Sequence, residues 1–115
     1  MNVTIYKDLY KKSKADAHVI PIVTALKRIQ EGTSAPTIEA VRGGEKDFKK
    51  SLPVVLFSGE FGDRKDQSIE KHSGYIVLDF DHIDVKASKA LLSTDPYVYS
   101  CWVSPSGDGL KALVK

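Results

Sequence analysis

Cysteine is almost missing from this chain of 115 residues, since Cys101 is the only one. A disulfide framework within the chain is therefore excluded, and a lone thiol fits a reducing compartment. Cys101 stands in an apolar run of the sequence, which favours a small buried side chain over a reactive one.

Long apolar runs are missing as well. No stretch approaches the roughly 20 apolar residues of a membrane-spanning helix, and the N-terminus has no apolar region of signal-peptide length. The sequence therefore predicts a cytoplasmic protein with no membrane partner.

The chain also lacks a large excess of positive or negative charge. The chain has 17 Lys and Arg residues against 15 Asp and Glu residues, which gives a formal net charge of +2. This balance gives no global reason to expect a nucleic-acid partner, so such a site has to come from local clustering. With 42% hydrophobic and 28% charged residues, the composition is that of an ordinary folded domain, and the length suits one domain.

The apolar spacing predicts an α+β fold in which helices pack on a mixed or antiparallel sheet. Apolar residues three and four positions apart predict an amphipathic helix from residue 16 to Gly32. Residues 59–67 are expected to form a loop and residues 68–73 a short helical or turn segment, and Asp84 is expected to cap a helix. The other predicted strands span 3–6, 54–57, 75–81, 97–103 and 110–115, and the other predicted helices span 37–42, 45–50 and 85–92.

Two of these strands carry further expectations about burial. The strand at 54–57 is a continuous apolar run, which predicts burial on both faces. The aromatic residues of the strand at 97–103 share the most apolar run of the chain, so Tyr97, Tyr99 and Trp102 are expected in the core.

Two acids end the most regular apolar run, because residues 75–84 read Y-I-V-L-D-F-D-H-I-D. Alternate residues of a strand share a face, so Asp79 and Asp81 should project together, whereas His82 should point away and is not expected to be a ligand. Two neighbouring carboxylates need a cation, and Mg²⁺ or Mn²⁺ takes such oxygen ligands. The pair alone also fits plain solvated polarity at a strand end, so both interpretations stay open.

A serine- and glycine-rich turn precedes the last predicted strand, because residues 104–111 read S-P-S-G-D-G-L-K. Glycines let backbone N–H groups approach an anion, serine hydroxyls add donors, and the lysine adds a positive charge. The same letters also suit a plain β-hairpin turn. The candidate phosphate-binding residues are Ser104, Ser106, Gly107, Gly109 and Lys111.

Basic residues cluster in the middle of the chain, with four of them within nine positions and a fifth in the following loop. Such a run is usually a solvated helical face, but it also describes a patch that contacts phosphates. The candidate nucleic-acid-binding residues are Arg42, Lys46, Lys49, Lys50 and Arg64.

The order of these segments resembles the VirE N-terminal or PrimPol-like domain of Bacteroides-type mobile-element and phage proteins. The resemblance is carried by I-V-L-D-F-D-H-I-D at 76–84, D-P-Y-V at 95–98 and S-P-S-G-D-G-L-K at 104–111. It extends upstream to L-P-V-V-L-F-S-G-E-F-G-D-R at 52–64 and H-S-G-Y at 72–75. It therefore covers roughly the last two thirds of the chain.

Such domains are similar to the archaeo-eukaryotic primase superfamily, which implies an RRM-like core and a catalytic metal, Mg²⁺ or Mn²⁺, held by Asp79 and Asp81. The resemblance also implies that residues 104–111 bind the phosphates of a nucleoside triphosphate, with Lys111 where many members have histidine. The third motif of the superfamily, an acid on a later strand, has no counterpart after Lys111. The catalytic site is therefore expected to be incomplete, and the chain to be the N-terminal part of a longer domain or protein, with a helicase-like region as an implied partner.

Three functions stay open at this point. The first is a nucleotidyltransferase module of DNA replication or mobilisation, a DNA primase or polymerase that binds nucleoside triphosphate and primer-template. The second is a non-catalytic module that binds single-stranded DNA through the basic residues, with the aromatic residues at 97–103 as stacking surfaces. The third is a structural or interaction domain with relic motifs.

Overall fold

Three antiparallel sheets and three α-helices make up the fold in the computed structural model, which describes residues 1–115 apart from the side chain of Asp66. The predicted α+β class is therefore confirmed. The strands are β1 (Asn2–Tyr6), β2 (His18–Pro21), β3 (Val54–Leu56), β4 (Gly59–Phe61), β5 (Ile69–His72), β6 (Ile76–Phe80), β7 (Val98–Val103) and β8 (Leu110–Val114). The helices are α1 (Ile22–Gln30), α2 (Ala35–Arg42) and α3 (Val85–Leu92), with short 3₁₀ segments at Lys14–Asp16, Lys46–Ser51 and Asp66–Ser68.

The first sheet has the strand order β2-β1-β3, and its hairpin corrects one prediction. The helix predicted from residue 16 begins only at Ile22, because residues 18–21 pair with β1 instead. Val19 and Ile20 fit both a helical and a strand pattern, and pairing with an existing strand decides between them. Pro21 has no N–H to donate and stands immediately before the helix, where proline is tolerated.

Strand β3 is the other edge of this sheet. The prediction that residues 54–57 are buried on both faces is wrong for the strand itself, whose residues are all half-buried. Only Phe57, which follows the strand, is buried. An edge strand has one neighbour and leaves part of its surface accessible, which a continuous apolar run does not reveal.

A small hairpin of β4 and β5 forms the second sheet. The predicted loop at 59–67 and the predicted helical or turn segment at 68–73 are therefore wrong where these two strands lie. Thr4 fastens the hairpin to β1, because its buried hydroxyl donates to the Gly59 carbonyl at 2.9 Å and accepts from the Phe61 N–H at 2.8 Å. Both hydrogen-bonding functions of this hydroxyl are thus used, as a buried polar group requires.

The third sheet has the order β6-β8-β7, so the last strand in the chain lies in the middle. In this register Lys111 of β8 is opposite both Asp79 of β6 and Trp102 of β7. Helix α3 packs against β7 and β8. The predicted cap of this helix is confirmed, since Asp84 Oδ1 accepts a hydrogen bond from the Ala87 N–H at 3.1 Å.

The core lies between the first sheet, α1 and one face of the third sheet. Its buried members are Val3, Ile22, Ala25, Phe57 and Leu113. Burial of these apolar side chains is the main stabilising term of the fold.

The aromatic residues of β7 and its approach divide between core and surface. Trp102 packs against the core, with its ring centroid 5.5 Å from that of Phe57. Tyr97 is 73% exposed and Tyr99 is 49% exposed, so the expectation that they lie in the core is wrong. Tyr97 precedes the strand, and Tyr99 lies where the pairing register shifts. Neither residue therefore occupies a regular strand position whose side chain points into the core. Cys101 is half-buried.

None of the helices in the described part of the chain has the length and apolar character to cross a membrane.

Candidate functional site

The acidic motif at 75–84 and the serine- and glycine-rich motif at 104–111 meet at an ion pair between neighbouring strands. Asp79 and Lys111 are register partners, and Lys111 Nζ lies 2.7 Å from Asp79 Oδ1. The side chains are 56% and 34% exposed, respectively, so solvent reaches the pair. Pairs of this kind contribute about 0–1 kcal/mol to stability. A ligand that competes for either partner therefore separates them at low cost.

Asp81 lies immediately after β6, next to the turn that precedes β8. A Cβ atom on Gly109 would lie 2.4 Å from the carbonyl oxygen of Phe80 and 3.3 Å from Asp81 Oδ1. Only glycine therefore lets the turn approach the end of β6 so closely. The absence of a side chain at this position brings the carboxylate motif and the serine-glycine turn together.

The carboxylates supply a small donor set. Among the described side chains, no group of three or more His, Cys, Asp or Glu residues lies within metal-binding reach. Asp81 forms no ion pair with any side chain that the structure describes. Magnesium is commonly held by one or two carboxylates, with water and substrate phosphates as the other ligands. Asp79 and Asp81 fit that chemistry, and they do not fit an all-protein metal cage.

His82 contacts the serine- and glycine-rich turn through Asp108. Its φ of 55° lies in the left-handed region, which is uncommon for a residue other than glycine. His82 Nδ1 lies 2.8 Å from Asp108 Oδ2, and the Ser106 hydroxyl donates to Asp108 Oδ1 at 3.0 Å. The Ser106 hydrogen bond, followed by the charge of His82, lowers the pKa of Asp108 below its ordinary value. Asp108 thus stabilises the turn through Ser106 and His82. No feature of the sequence indicated the pairing of Asp108 with His82.

Arg42 belongs with this turn and not with the lysines that follow it in the sequence. Its Nη2 donates to the carbonyl oxygen of Ser104 at 3.1 Å, and its Nε atom is 3.5 Å from where a Cβ of Gly107 would lie. Ser104 is buried, and its hydroxyl is 3.3 Å from that of Ser106. A cation from α2 therefore stands beside the predicted phosphate-binding residues.

A basic cleft opens next to the ion pair and has a volume of about 960 Å³. Seven of its lining residues are Lys or Arg, and Asp79 is the one acid among the described residues that line it. A cleft lined mainly by one sign of charge concentrates ligands of the opposite sign. The cationic lining residues are Arg28, Lys46, Lys49, Lys50, Arg64, Lys65 and Lys111.

The floor of the basic cleft is apolar and partly aromatic. Phe57, Phe61 and Trp102 line it, whereas Tyr97 and Tyr99 are not among its lining residues. Of the predicted nucleic-acid-binding residues, the cleft brings together the three lysines of the 3₁₀ segment Lys46–Ser51 and Arg64, and leaves out Arg42.

Arg64 also has a structural task at the edge of the cleft. Its Nη2 donates to the carbonyl oxygen of Leu9 at 2.8 Å, and its guanidinium carbon lies 6.0 Å from the centroid of the Tyr6 ring. Burial raises the pKa of the Tyr6 hydroxyl, which donates to the Gly62 carbonyl. Arg64 is therefore held in place by the fold, unlike a fully solvated lysine.

A family model described as BT4734-like, N-terminal domain, matches residues 47–115, which is more than half of the chain. The chain belongs to this family. No curated protein and no solved structure matches it. The matched segment of this BT4734-like domain contains β3 to β8 and α3, whereas β1, β2, α1 and α2 precede it.

The segment before the family match takes part in the candidate site of the BT4734-like domain. Arg42 on α2 contacts the turn at Ser104, and Arg28 on α1 and Lys46 line the basic cleft. The N-terminal segment also supplies Val3, Ile22 and Ala25 to the core. It is therefore an integral part of the fold and of the site.

Proposed function

We propose that this domain is a primase-polymerase-like module of DNA replication or mobilisation that binds a nucleoside triphosphate together with Mg²⁺ or Mn²⁺. The observation that supports this proposal is the ion pair between Asp79 and Lys111. It sets a carboxylate for a cation next to an ammonium group for phosphate oxygens, and a metal–triphosphate complex needs both.

The proposal gives each motif one task. Asp79 and Asp81 would hold the cation, which would supply charge neutralisation for the phosphate oxygens. When the triphosphate binds, Lys111 would leave Asp79 and pair with a phosphate oxygen instead. The Asp79 carboxylate would then be free to bind the cation. The backbone N–H groups of the glycine-containing turn donate to the remaining phosphate oxygens. The Ser106 hydroxyl joins them by exchanging Asp108 for phosphate, and the buried Ser104 hydroxyl supports Ser106.

The proposal is one of metal-dependent nucleotide binding. Two carboxylates are sufficient for a magnesium ion that keeps water and phosphate ligands, whereas two-metal phosphoryl transfer uses a pair of ions and more acidic ligands. The proposal includes an RRM-like core, for which the antiparallel sheet β6-β8-β7 with α3 on one face is the supporting part. It also includes primer-template and a helicase-like region of the same protein as partners.

Removing both carboxylates should abolish the metal dependence of nucleotide binding. In isothermal titration calorimetry with a non-hydrolysable triphosphate, we expect the unaltered domain to bind at least about tenfold more tightly with Mg²⁺ than with a chelator, equal to 1.4 kcal/mol. Asp79→Asn combined with Asp81→Asn should bind equally under both conditions, because the substituted amides no longer attract the cation.

A matched control removes two other acidic charges. Glu31 and Glu39 are exposed residues of the α1 end and of α2, and Glu31→Gln combined with Glu39→Gln should keep the full metal dependence. If the unaltered domain binds the triphosphate equally with Mg²⁺ and with chelator, the metal part of the proposal is wrong.

Replacing Lys111 should change metal and phosphate binding in opposite directions. Lys111→Gln removes the charge that neutralises Asp79, so Mn²⁺ alone should bind about two- to fivefold more tightly, as the loss of an exposed pair of up to about 1 kcal/mol allows. The free triphosphate in chelator should bind more weakly, because its cationic partner is gone. Electron paramagnetic resonance counts free Mn²⁺, and calorimetry measures the triphosphate. Weaker binding of both ligands would contradict the proposed exchange, and Lys86→Gln on α3 is the control.

A further inference from the structure

We infer that the basic cleft binds a single-stranded polynucleotide, with the phosphates along its cationic rim and the bases against its aromatic floor. This inference rests on the proposed function, whose primer-template partner it assigns to a particular surface, and it adds contacts that require no metal. Two independent features of the cleft carry the inference, namely the distribution of its charges and the nature of its floor.

The cations come from separate parts of the fold and are largely available. Arg28 lies on α1, and Lys46, Lys49 and Lys50 lie on one 3₁₀ segment. None of these four forms an ion pair with a side chain that the structure describes. The volume of about 960 Å³ lies at the upper end of the range for small-molecule pockets. Positive charges spread over a space of this size suit a chain of phosphates better than one phosphate group.

The floor distinguishes a single strand from a duplex. Phe61 and Trp102 are half-buried and line the space between the cations, whereas Phe57 is buried and packs against Trp102. A duplex keeps its bases stacked inside and offers mainly phosphates, whereas a single strand can place a base on an aromatic ring. A cationic groove with aromatic stacking surfaces is the combination that proteins use for single strands.

The cleft also reaches the proposed metal site, since Asp79 and Lys111 are among its lining residues. A strand in the cleft would therefore end beside the triphosphate. The cleft is expected to bind the single strand in the presence of a chelator, whereas the metal site requires the cation. Failure of the cleft proposal can therefore be distinguished from failure of the metal-site proposal.

Trp102 provides a probe that needs no mutation, because it is the only tryptophan of the chain and it lines the cleft. Titration with an oligothymidylate in chelator should quench its fluorescence, as a base stacks on the indole ring. With four phosphate contacts at a slope of about −0.7 each, the affinity should fall about 50-fold between 50 and 200 mM salt.

Charge-neutral variants test where the strand lies. Lys46→Gln, Lys49→Gln and Lys50→Gln together should weaken binding at least about tenfold and flatten the salt dependence. Lys71→Gln, Lys86→Gln and Lys89→Gln together remove the same charge outside the cleft, and should change the affinity by no more than about twofold. Circular dichroism melts establish that both variants are folded.

Three results would overturn the inference. The first is equal affinity for the oligothymidylate, for duplex DNA of the same length and for heparin, because charge alone would then explain binding. The second is oligothymidylate binding that leaves the Trp102 fluorescence unchanged, and the third is the absence of binding at low salt. Quenching by the single strand alone, weakened by the cleft variant only, supports the inference.

Discussion

Gly109→Ala is expected to destabilise the domain by about 3 kcal/mol, as overpacking against an immovable neighbour does. The added Cβ would lie 2.4 Å from the Phe80 carbonyl oxygen. That oxygen belongs to the backbone of β6, so no side-chain rotation relieves the clash. Either the end of β6 or the turn before β8 has to move. Urea unfolding followed by circular dichroism measures the loss.

The same substitution should abolish metal-dependent triphosphate binding, because it separates Asp81 from the turn. Gly43→Ala is the matched control, since its Cβ would meet its nearest neighbour at 3.4 Å, an ordinary contact. We expect that variant to stay within about 0.5 kcal/mol of the unaltered domain. A Gly109→Ala domain as stable as the Gly43→Ala domain would show that the close approach of turn and strand is not required.

Leu113→Ala is expected to have a comparable or larger effect on stability, about 2–5 kcal/mol. Leu113 is fully buried and contributes to the core with Val3, Ile22, Ala25 and Phe57. Truncation removes apolar contacts and leaves a cavity between β8 and α1, which the surrounding backbone can fill only in part. Denaturant unfolding at equilibrium gives the free energy directly.

Leu91→Ala on α3 provides the comparison for this core substitution. Leu91 is 73% exposed, so its truncation should change the free energy of unfolding by no more than about 0.5 kcal/mol. If the two leucine variants were equally stable, the packing of β8 on the first sheet and α1 would be wrong. Because Leu113 and Lys111 share one face of β8, the core variant should also weaken the triphosphate site.

The elements that the sequence predicted well are those with agreeing local signals. Strands β7 and β8 are rich in apolar and β-branched residues around a glycine-rich turn, and Asp84 begins α3 with a capping side chain. The hairpin of β4 and β5 could not be predicted in this way. Its strands have three and four residues with few apolar positions, and its anchor is Thr4, more than fifty residues away. A tertiary hydrogen bond of this kind has no local pattern.

The candidate site was predictable residue by residue but not as an arrangement. The sequence marks Asp79 and Lys111 separately, yet the two residues are 32 positions apart and their pairing depends on the register of their strands. Arg28 was not predicted because nothing next to it in the sequence marks the cleft. The sequence places Arg42 with the lysines that follow it, whereas the position of α2 turns its side chain toward Ser104.

The central position of β8 determines when the third sheet can form during synthesis. Strands β6 and β7 pair with β8 and not with each other, so neither finds its partner until residues 110–114 have been made. Until then both strands present unpaired edges, including Ile76 and Leu78, which stay 55% and 40% exposed even in the folded domain. Unpaired apolar edges are the usual starting point of aggregation. A pause in translation after β6 and β7 have left the ribosome, but before β8 has done so, should therefore cause more aggregation than an earlier pause.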